Sequence, residues 1–392
     1  MNRYLWPSQT YLGAGAVNQA GPSARSLNAA HAFVLTDPGV IAAGLVTPLL
    51  ASLQAAGVAH TLYDRVVPNP DTASVDEAVA ALRGSGADLI IGIGGGSALD
   101  TAKGVRLAAG GPADASAWDY AYVRKDEARP APARCACLPL IVLPTTAGTG
   151  AEATPWAVLT NLERKQKYGV GADHLFPDIV LCDPDLTLGL PPGLTAATGI
   201  DALSHLVEAY VSTNANPMLD PLILHGIRLV GRSLRTAVSQ GNDARARHDM
   251  IEAAFLGGVA ISSNWLGACH SLAHQLSSFA NVHHGVAIGL MLPHQMAFSL
   301  PAALDRYADI GQALAAEARP DLKLSSRAEH AVASVRQLVA ETGLPTRLRD
   351  AGVSEALIPA MSEAAYHNDL NWTTNPRPTT QPDLERMYRE TY

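Results

Sequence analysis

The apolar periodicity of this chain changes character once, near Thr187, and that change requires two differently built parts. Upstream, short apolar runs alternate with helical ones. Ala32-Phe33-Val34-Leu35-Thr36 reads as a strand, and Thr47 to Ala56 as a helix with Thr47 as N-cap, Pro48 in the first turn and Gly57 as the stop. His60 to Tyr63 reads as a second strand, Ser74 to Leu82 as a second helix and Ala87 to Ile93 as a third strand. Alternation at that pace means βαβ units on a mostly parallel sheet. Downstream the strand signals stop. Leu203 to Val211, Pro221 to Ala237, Ala244 to Ser262, Ala268 to Phe279, Val286 to Phe298, Ala302 to Ala316 and Ser326 to Glu341 carry helical periodicity. The expected organisation is an α/β Rossmann-like domain over residues 1–185 and an all-α domain over 186–392. A length of 392 residues gives each part enough chain for its own core.

The third strand runs into Gly94-Gly95-Gly96-Ser97, and a helix opens at Leu99-Asp100-Thr101-Ala102-Lys103. Glycines let the backbone approach a phosphate, and a helix N-terminus presents free N–H groups to it. A pyrophosphate is the natural occupant, although a tight turn without ligand has the same composition. Pro144-Thr145-Thr146-Ala147-Gly148-Thr149-Gly150 repeats the design after the next strand, with hydroxyls at Thr145, Thr146 and Thr149 that suit a ribose, phosphate or amide and equally suit a turn. Asp37 closes the first strand. It can accept ribose hydroxyls, favouring NAD over NADP, or it can cap a helix.

The helical part concentrates a different chemistry. In Thr198-Gly199-Ile200-Asp201-Ala202-Leu203-Ser204-His205 a four-residue offset puts carboxylate and imidazole on one helical face. Cys269-His270-Ser271-Leu272-Ala273-His274 and His283-His284-Gly285 can supply further ligands once folding brings them alongside. Asp201, His205, His270 and His284 have the residue types of a cage for a divalent iron, zinc, nickel or cobalt ion. Spacing alone adds His274, one turn after His270. With 13 histidines in the chain, some four-residue pairs arise by chance.

Composition removes several classes. A formal net charge of -8 with no basic stripe opposes nucleic-acid binding, because Arg245 and Arg247 sit beside Asp243 and Asp249. Met1 to Pro7 lacks the apolar core of a secretory signal, and Pro48, Gln54, Pro293 and His294 interrupt the most apolar windows, so a cytoplasmic protein without membrane contact is expected. Cys135, Cys137, Cys182 and Cys269 are too irregular for a disulfide framework; the first two read as buried thiols at a strand entrance. Gly110 to Arg134 reads as a surface loop.

These elements together resemble the iron-containing (group III) alcohol dehydrogenase family. The matching residues are Asn69-Pro70, Gly94 to Ser97 with Asp100 and Lys103, Pro144 to Glu152, Asp183-Pro184, Thr198 to His205, His270 to His274 and His284-Gly285, in one order along the chain. Past residue 300 only Asn375-Pro376-Arg377 matches. The resemblance implies the dehydroquinate synthase-like fold of that family, with metal and NAD(H) held between a dinucleotide-binding and a helical metal-binding domain. It implies Asp201, His205, His270 and His284 as ligands, iron(II) ahead of zinc(II) or nickel(II), and a proton-relay or positioning role for His274 beside the nicotinamide. It further implies Gly94, Gly95, Gly96 and Ser97 on the pyrophosphate and Asn69, Asp100, Thr145, Thr146 and Thr149 among the cofactor contacts. Leu186 would pack on a cofactor ring, Lys167 on a ribose unless it is a solvated lysine, and the enzyme would be a homodimer. The implied reaction is reversible hydride transfer between a small primary alcohol and its aldehyde. Maleylacetate reductases share the scaffold but work without metal, which the intact ligand set disfavours. Glycerol dehydrogenases use a zinc site with fewer protein ligands. A dehydroquinate synthase-like lyase needs a basic phosphate site that the histidine segments lack, and a non-catalytic metal binder leaves Asp37 and Gly94 to Ser97 unexplained. Trp265 and Leu266 are candidates to line the substrate pocket, and Phe279 reads more naturally as core. His283 reads as a surface neighbour and His294 as a satisfied helical histidine.

Overall fold

The computed structural model describes residues 4–6, 9–121, 130–163, 166–315 and 323–392. The chain divides into two compact units, one of Leu5–Thr146 with Gly150–Gly189, the other of Leu190–Tyr392 with Ala147–Thr149.

In the first unit, β1 (Gln9–Leu12), β2 (His31–Leu35), β3 (Ala59–Tyr63), β4 (Leu89–Gly94), β5 (Leu140–Pro144) and β8 (Ile179–Cys182) form one sheet in the order β1-β8-β5-β4-β2-β3, every pairing parallel. Helices α1 (Ala20–Ser26), α2 (Pro38–Ala42), α3 (Val46–Ala55), α4 (Thr72–Ser85) and α5 (Gly96–Ala109) make the crossovers. β4, β5 and β8 are buried along their whole length, which is why they read as continuous apolar runs. From β2 the chain moves outward to β3 and then returns to set β4 on the other side of β2. The C-terminal ends of β2 and β4 therefore border a topological switch point, the place where sheets of this kind bind ligands. Asp37 and Gly94 to Ser97 stand at those two ends.

Departures from the sequence reading have local causes. Thr47 does not cap α3; the helix opens one residue earlier, at Val46. The cap falls instead on Asp37, at the head of the short α2. β1 and β8 have 4 residues each, too few to show a period. An antiparallel hairpin, β6 (Trp156–Asn161) with β7 (Gln166–Gly171), lies outside the parallel pattern and is fastened to α5 where Val158 N–H donates to Asp100 Oδ2 at 3.0 Å. Of the stretch 110–134, residues 122–129 lie outside the described residues, but Trp118 and Tyr120 before them are buried, not surface loop. Cys135 is exposed and Cys137 half-buried, because a tight turn at Arg134–Ala136 holds them short of β5.

The second unit is helical: α6 (Pro192–Val211), α7 (Asp220–Ser239), α8 (Ala244–Asn264), α9 (Ala268–Ala280), α10 (His284–Ser299), α11 (Leu304–Leu314), α12 (Leu324–Glu341), α13 (Ile358–His367) and α14 (Gln381–Thr391). Residue 316, the end expected for the helix now seen as α11, lies outside the described residues. α6 is its central helix, buried on almost every side from Thr195 to Val211. Gly199, inside it, lies where a Cβ would come within 2.3 Å of Leu234 Cδ1, so the glycine serves close packing against α7. Asn375 accounts for the isolated Asn-Pro-Arg match: its Oδ1 accepts from Gln295 Nε2 at 2.7 Å, and its Nδ2 donates to the Arg377 carbonyl at 2.8 Å, tying the C-terminal segment to α10. Among the described residues no helix is long and apolar enough to cross a membrane.

Arg106 closes the end of the sheet opposite the switch point. Reaching from α5, it donates to the carbonyls of Leu138 at 2.9 Å and Phe176 at 2.8 Å and pairs with Asp178 at 2.9 Å, which also accepts Leu140 N–H at 2.8 Å. These contacts gather the entrances of β5 and β8. Arg106→Met leaves three acceptors short of a donor in a buried setting, so a loss of about 3 kcal/mol is expected in the urea-unfolding free energy.

Candidate active site

In the first unit the residues singled out for a dinucleotide come together at the switch point. Asp37 Oδ1 accepts the N–H groups of Gly39 at 2.8 Å and Val40 at 3.0 Å, while Oδ2 lies 3.4 Å from where a Cβ on Gly94 would stand. Gly94 has φ +152° and a Cβ there would meet Ala98 Cβ at 2.6 Å, so no other residue fits this approach. Gly95 is the N-cap of α5 without a side-chain cap, which leaves the first N–H groups of Gly96 and Ser97 directed at the switch point. Thr146 stands within 3.4 Å of a Cβ on Gly95, and Thr145 N–H donates to the Gly94 carbonyl at 2.9 Å. Ser97 Oγ accepts Asn69 N–H at 3.2 Å, and Lys167 Nζ donates to Asn69 Oδ1 at 3.0 Å, adding two more of the set.

Three residues sit elsewhere. Asp100 is taken up by Val158 N–H and by Lys103 Nζ at 3.0 Å. Leu186 is 4% exposed and belongs to the apolar core with Val17, Ala20 and Leu181. Thr149 is carried by the short segment that packs with the helical unit.

The helical unit assembles the other chemistry around Asp201. Its Oδ1 lies 3.7 Å from His205 Nε2, 3.9 Å from His270 Nε2 and 3.5 Å from His284 Nε2. Ligand atoms spaced about 3.4 Å apart are what a tetrahedral ion with bonds near 2.1 Å requires. Ligand atoms of Asp201, His270 and His284 all lie within 4.8 Å of one another, and the His205 ring stacks on His270 with centroids 4.9 Å apart. Asp201 Oδ1 and His270 Nε2 are buried without a hydrogen-bond partner among the described residues, which is the condition of groups directed at a cation. Burial pushes the His205 and His270 rings down to about 4, against the pull of Asp201, so both present lone pairs at neutral pH.

Each of these four residues has a local reason for its place. α6 supplies Asp201 and His205 one turn apart. At the head of α10, a Cβ on Gly285 would come within 2.3 Å of the Ala197 carbonyl, and only its absence lets His284 approach α6. α9 starts from a backbone reversal at Trp265, whose φ of 67° is unusual for a bulky residue. His274, which spacing alone would add to the ligands, turns Nδ1 to Asp369 and stacks on His284 with centroids 5.5 Å apart. His283 is exposed ahead of α10, and Phe279 is 43% exposed in the last turn of α9, which removes it from the core.

Two carboxylates were not anticipated from the sequence. Glu208, on α6, accepts Cys269 N–H at 2.8 Å with Oε1 and pairs with His270 Nδ1 through Oε2. Its signal was present: 201, 205 and 208 share one helical face. Burial pushes its carboxyl up to about 7 despite the N–H groups of Cys269 and Gly267, and a single proton between Oε2 and Nδ1 leaves Nε2 of His270 with its lone pair free to face Asp201. Asp369 had no signal, lying 95 residues beyond His274 in a stretch without periodicity.

Residues 7–184 match the family described as iron-containing alcohol dehydrogenase, and residues 195–392 match the Fe-containing alcohol dehydrogenase family, C-terminal. The 1,3-propanediol dehydrogenase of Klebsiella pneumoniae is 37% identical over 391 residues, covering 99% of this chain and 98% of that protein. The crystal structure of a 1,3-propanediol oxidoreductase superposes with TM-score 0.94 at 36% identity, covering 100% of both chains. That of the sulfoacetaldehyde reductase of Bifidobacterium kashiwanohense, solved with NAD+, has TM-score 0.88 at 27% identity, covering 100% of this chain and 98% of that one. The chain belongs to the iron-containing alcohol dehydrogenase family. It is an oxidoreductase interconverting alcohol and aldehyde, and its family implies a metal and NAD(H).

Two outcomes follow from the buried acids. Glu208→Gln removes the charge that orients His270, and zinc titration of the metal-free protein is expected to show affinity about 10- to 100-fold weaker. Glu152, fully buried near Lys103 and Asp100, is pushed up to about 7 by burial, with its Oε1 unpartnered among the described residues. A raised acid binds its proton more tightly folded than unfolded, so its contribution is complete below about 4.5 and disappears as pH rises through 7. Glu152→Gln should therefore match the parent protein near pH 4.5 and exceed its unfolding free energy by on the order of 2 to 3 kcal/mol at pH 8.

Proposed function

We propose that this chain is a divalent-metal-dependent, NAD(H)-linked dehydrogenase acting on a small primary alcohol and its aldehyde. The convergence of three imidazole Nε2 atoms on Asp201 Oδ1 at 3.5, 3.7 and 3.9 Å carries the reading. Asp201, His205, His270 and His284 would hold the cation, and the unpartnered buried atoms of Asp201 and His270 fit that role. Iron(II) is the family's ion, and the same donors accept zinc(II) or nickel(II). The bare N-terminus of α5, the cradle at Gly94 and the carboxylate of Asp37 fit a dinucleotide without a 2′-phosphate. When bound, the cation supplies Lewis acidity toward the substrate oxygen and the dinucleotide supplies hydride exchange.

The chain's own groups do the rest. Glu208 holds the His270 ring, and the backbone N–H groups of Gly96 and Ser97 with the Ser97 hydroxyl bind pyrophosphate. Thr145, Thr146, Thr149, Asn69 and Lys167 orient the dinucleotide beyond it. His274 takes up the hydroxyl proton during oxidation and returns it during reduction. Asp100 fixes β6, and Leu186 packs in the core. Trp265 and Leu266, half-buried ahead of α9, narrow the substrate site toward slender molecules. The Klebsiella relative named for a three-carbon diol and the reductase solved with NAD+ support this substrate size and this cofactor. The homodimer in the cytoplasm expected from the sequence belongs to the same reading.

The test is turnover of a panel of aldehydes by metal-loaded enzyme with NADH and NADPH. Activity with NADH at least about tenfold above NADPH is expected, since Asp37 repels a 2′-phosphate. His270→Ala should lose both bound metal and turnover, and His274→Ala should keep the metal and turn over slowly. Full activity and full metal content in both variants would refute the assignment.

A further inference from the structure

We propose that Asp369 is a positioning residue that fixes the tautomer and ring plane of His274, the proton-transferring group in the function proposed above. The inference rests on that reading and names what makes the histidine competent. Asp369 Oδ2 lies 2.7 Å from His274 Nδ1. An ionised carboxylate only accepts, so Nδ1 carries the hydrogen and Nε2 of the neutral ring keeps its lone pair. Nε2 is then the atom able to receive a proton from a substrate hydroxyl.

The carboxylate is itself immobilised. Its Oδ1 accepts Ser271 Oγ–H at 2.8 Å and Asn371 N–H at 2.8 Å, and Asp369 is 7% exposed. Ser271 and His274 are one turn apart on α9, so the same carboxylate grips that face at two points. Ser271 Oγ in turn accepts Trp372 N–H at 3.0 Å, and the Trp372 indole donates to the Tyr366 carbonyl at 3.1 Å while stacking on the Tyr366 ring at 4.6 Å. The segment after α13 is thereby latched to α9, and its buried carboxylate meets His274 Nδ1. Burial would raise the Asp369 carboxyl, but the hydrogen bonds it accepts from His274, Asn371 and Ser271 hold it below the usual carboxylate range. It stays an acceptor.

Two measurements test this. Nitrogen-15 spectra of histidine-labelled, zinc-loaded protein, assigned with His274→Ala, should show His274 protonated at Nδ1; protonation at Nε2 overturns the inference. In steady-state kinetics, Asp369→Asn should lower kcat about 10- to 100-fold with KM changed less than about twofold and metal content unchanged. The same substitution in the His274→Ala background should cost nothing further, because a group acting through His274 has nothing left to act on. Unchanged kcat in Asp369→Asn, or an equal loss in the His274→Ala background, overturns the inference while leaving the metal site and NAD(H) chemistry standing. Unchanged kcat in His274→Ala alone overturns the proton-transfer role itself, and the inference with it.

Discussion

Glu208 is the contact on which the helical unit's chemistry turns. One of its oxygens receives the Cys269 N–H at the opening of α9 and the other holds His270 Nδ1, so a single carboxylate both caps a helix that lacks a side-chain cap of its own and sets the orientation of a ring that helix carries. A carboxylate at a helix N-terminus is favoured by the free N–H groups and the partial positive charge there. The same charge raises the basicity of the imidazole it touches. Placing α9 and aiming His270 are therefore one event, and Asp201 and His205 stand on the helix that performs it.

The first unit works by the opposite means, through what is left out. Gly94 has no Cβ at a point where one would strike Ala98, and Gly95 leaves the start of α5 uncapped. Both omissions lie at the switch point between β2 and β4, where the sheet's connectivity opens a crevice. At the other end of the same sheet Arg106 directs its donors at Leu138, Phe176 and Asp178. One end of the sheet is closed with hydrogen bonds and the other kept open.

Much of this was legible in the sequence, for identifiable reasons. The parallel sheet and the helical half announced themselves through periodicity, because buried strands and amphipathic helices repeat over many residues. Asp201, His205, His270 and His284 were legible because each sits in a short motif. What escaped was either too short or too distant. β1 and β8 are too brief for a pattern, and the turns of α6 before Asp201 were missed because Pro192 and Gly199 disguise its first half, the one as a helix start and the other as a packing concession to Leu234. Glu208 could have been found by carrying the helical face one turn beyond His205. Asp369 could not, since nothing local links it to His274, and the core position of Leu186 depends on tertiary packing that no motif encodes.

All the proposed cation ligands, with Glu208, belong to the helical unit, and apart from Thr149 the proposed dinucleotide residues belong to the sheet unit. Each half thus owns the determinants for one partner. By mass action, whatever occupies a native half lowers that half's unfolded population in proportion to its saturation. Scarcity of the proposed cation would then weaken the helices more than the sheet, and depletion of the dinucleotide would do the reverse, so the two shortages would leave the protein vulnerable in different places.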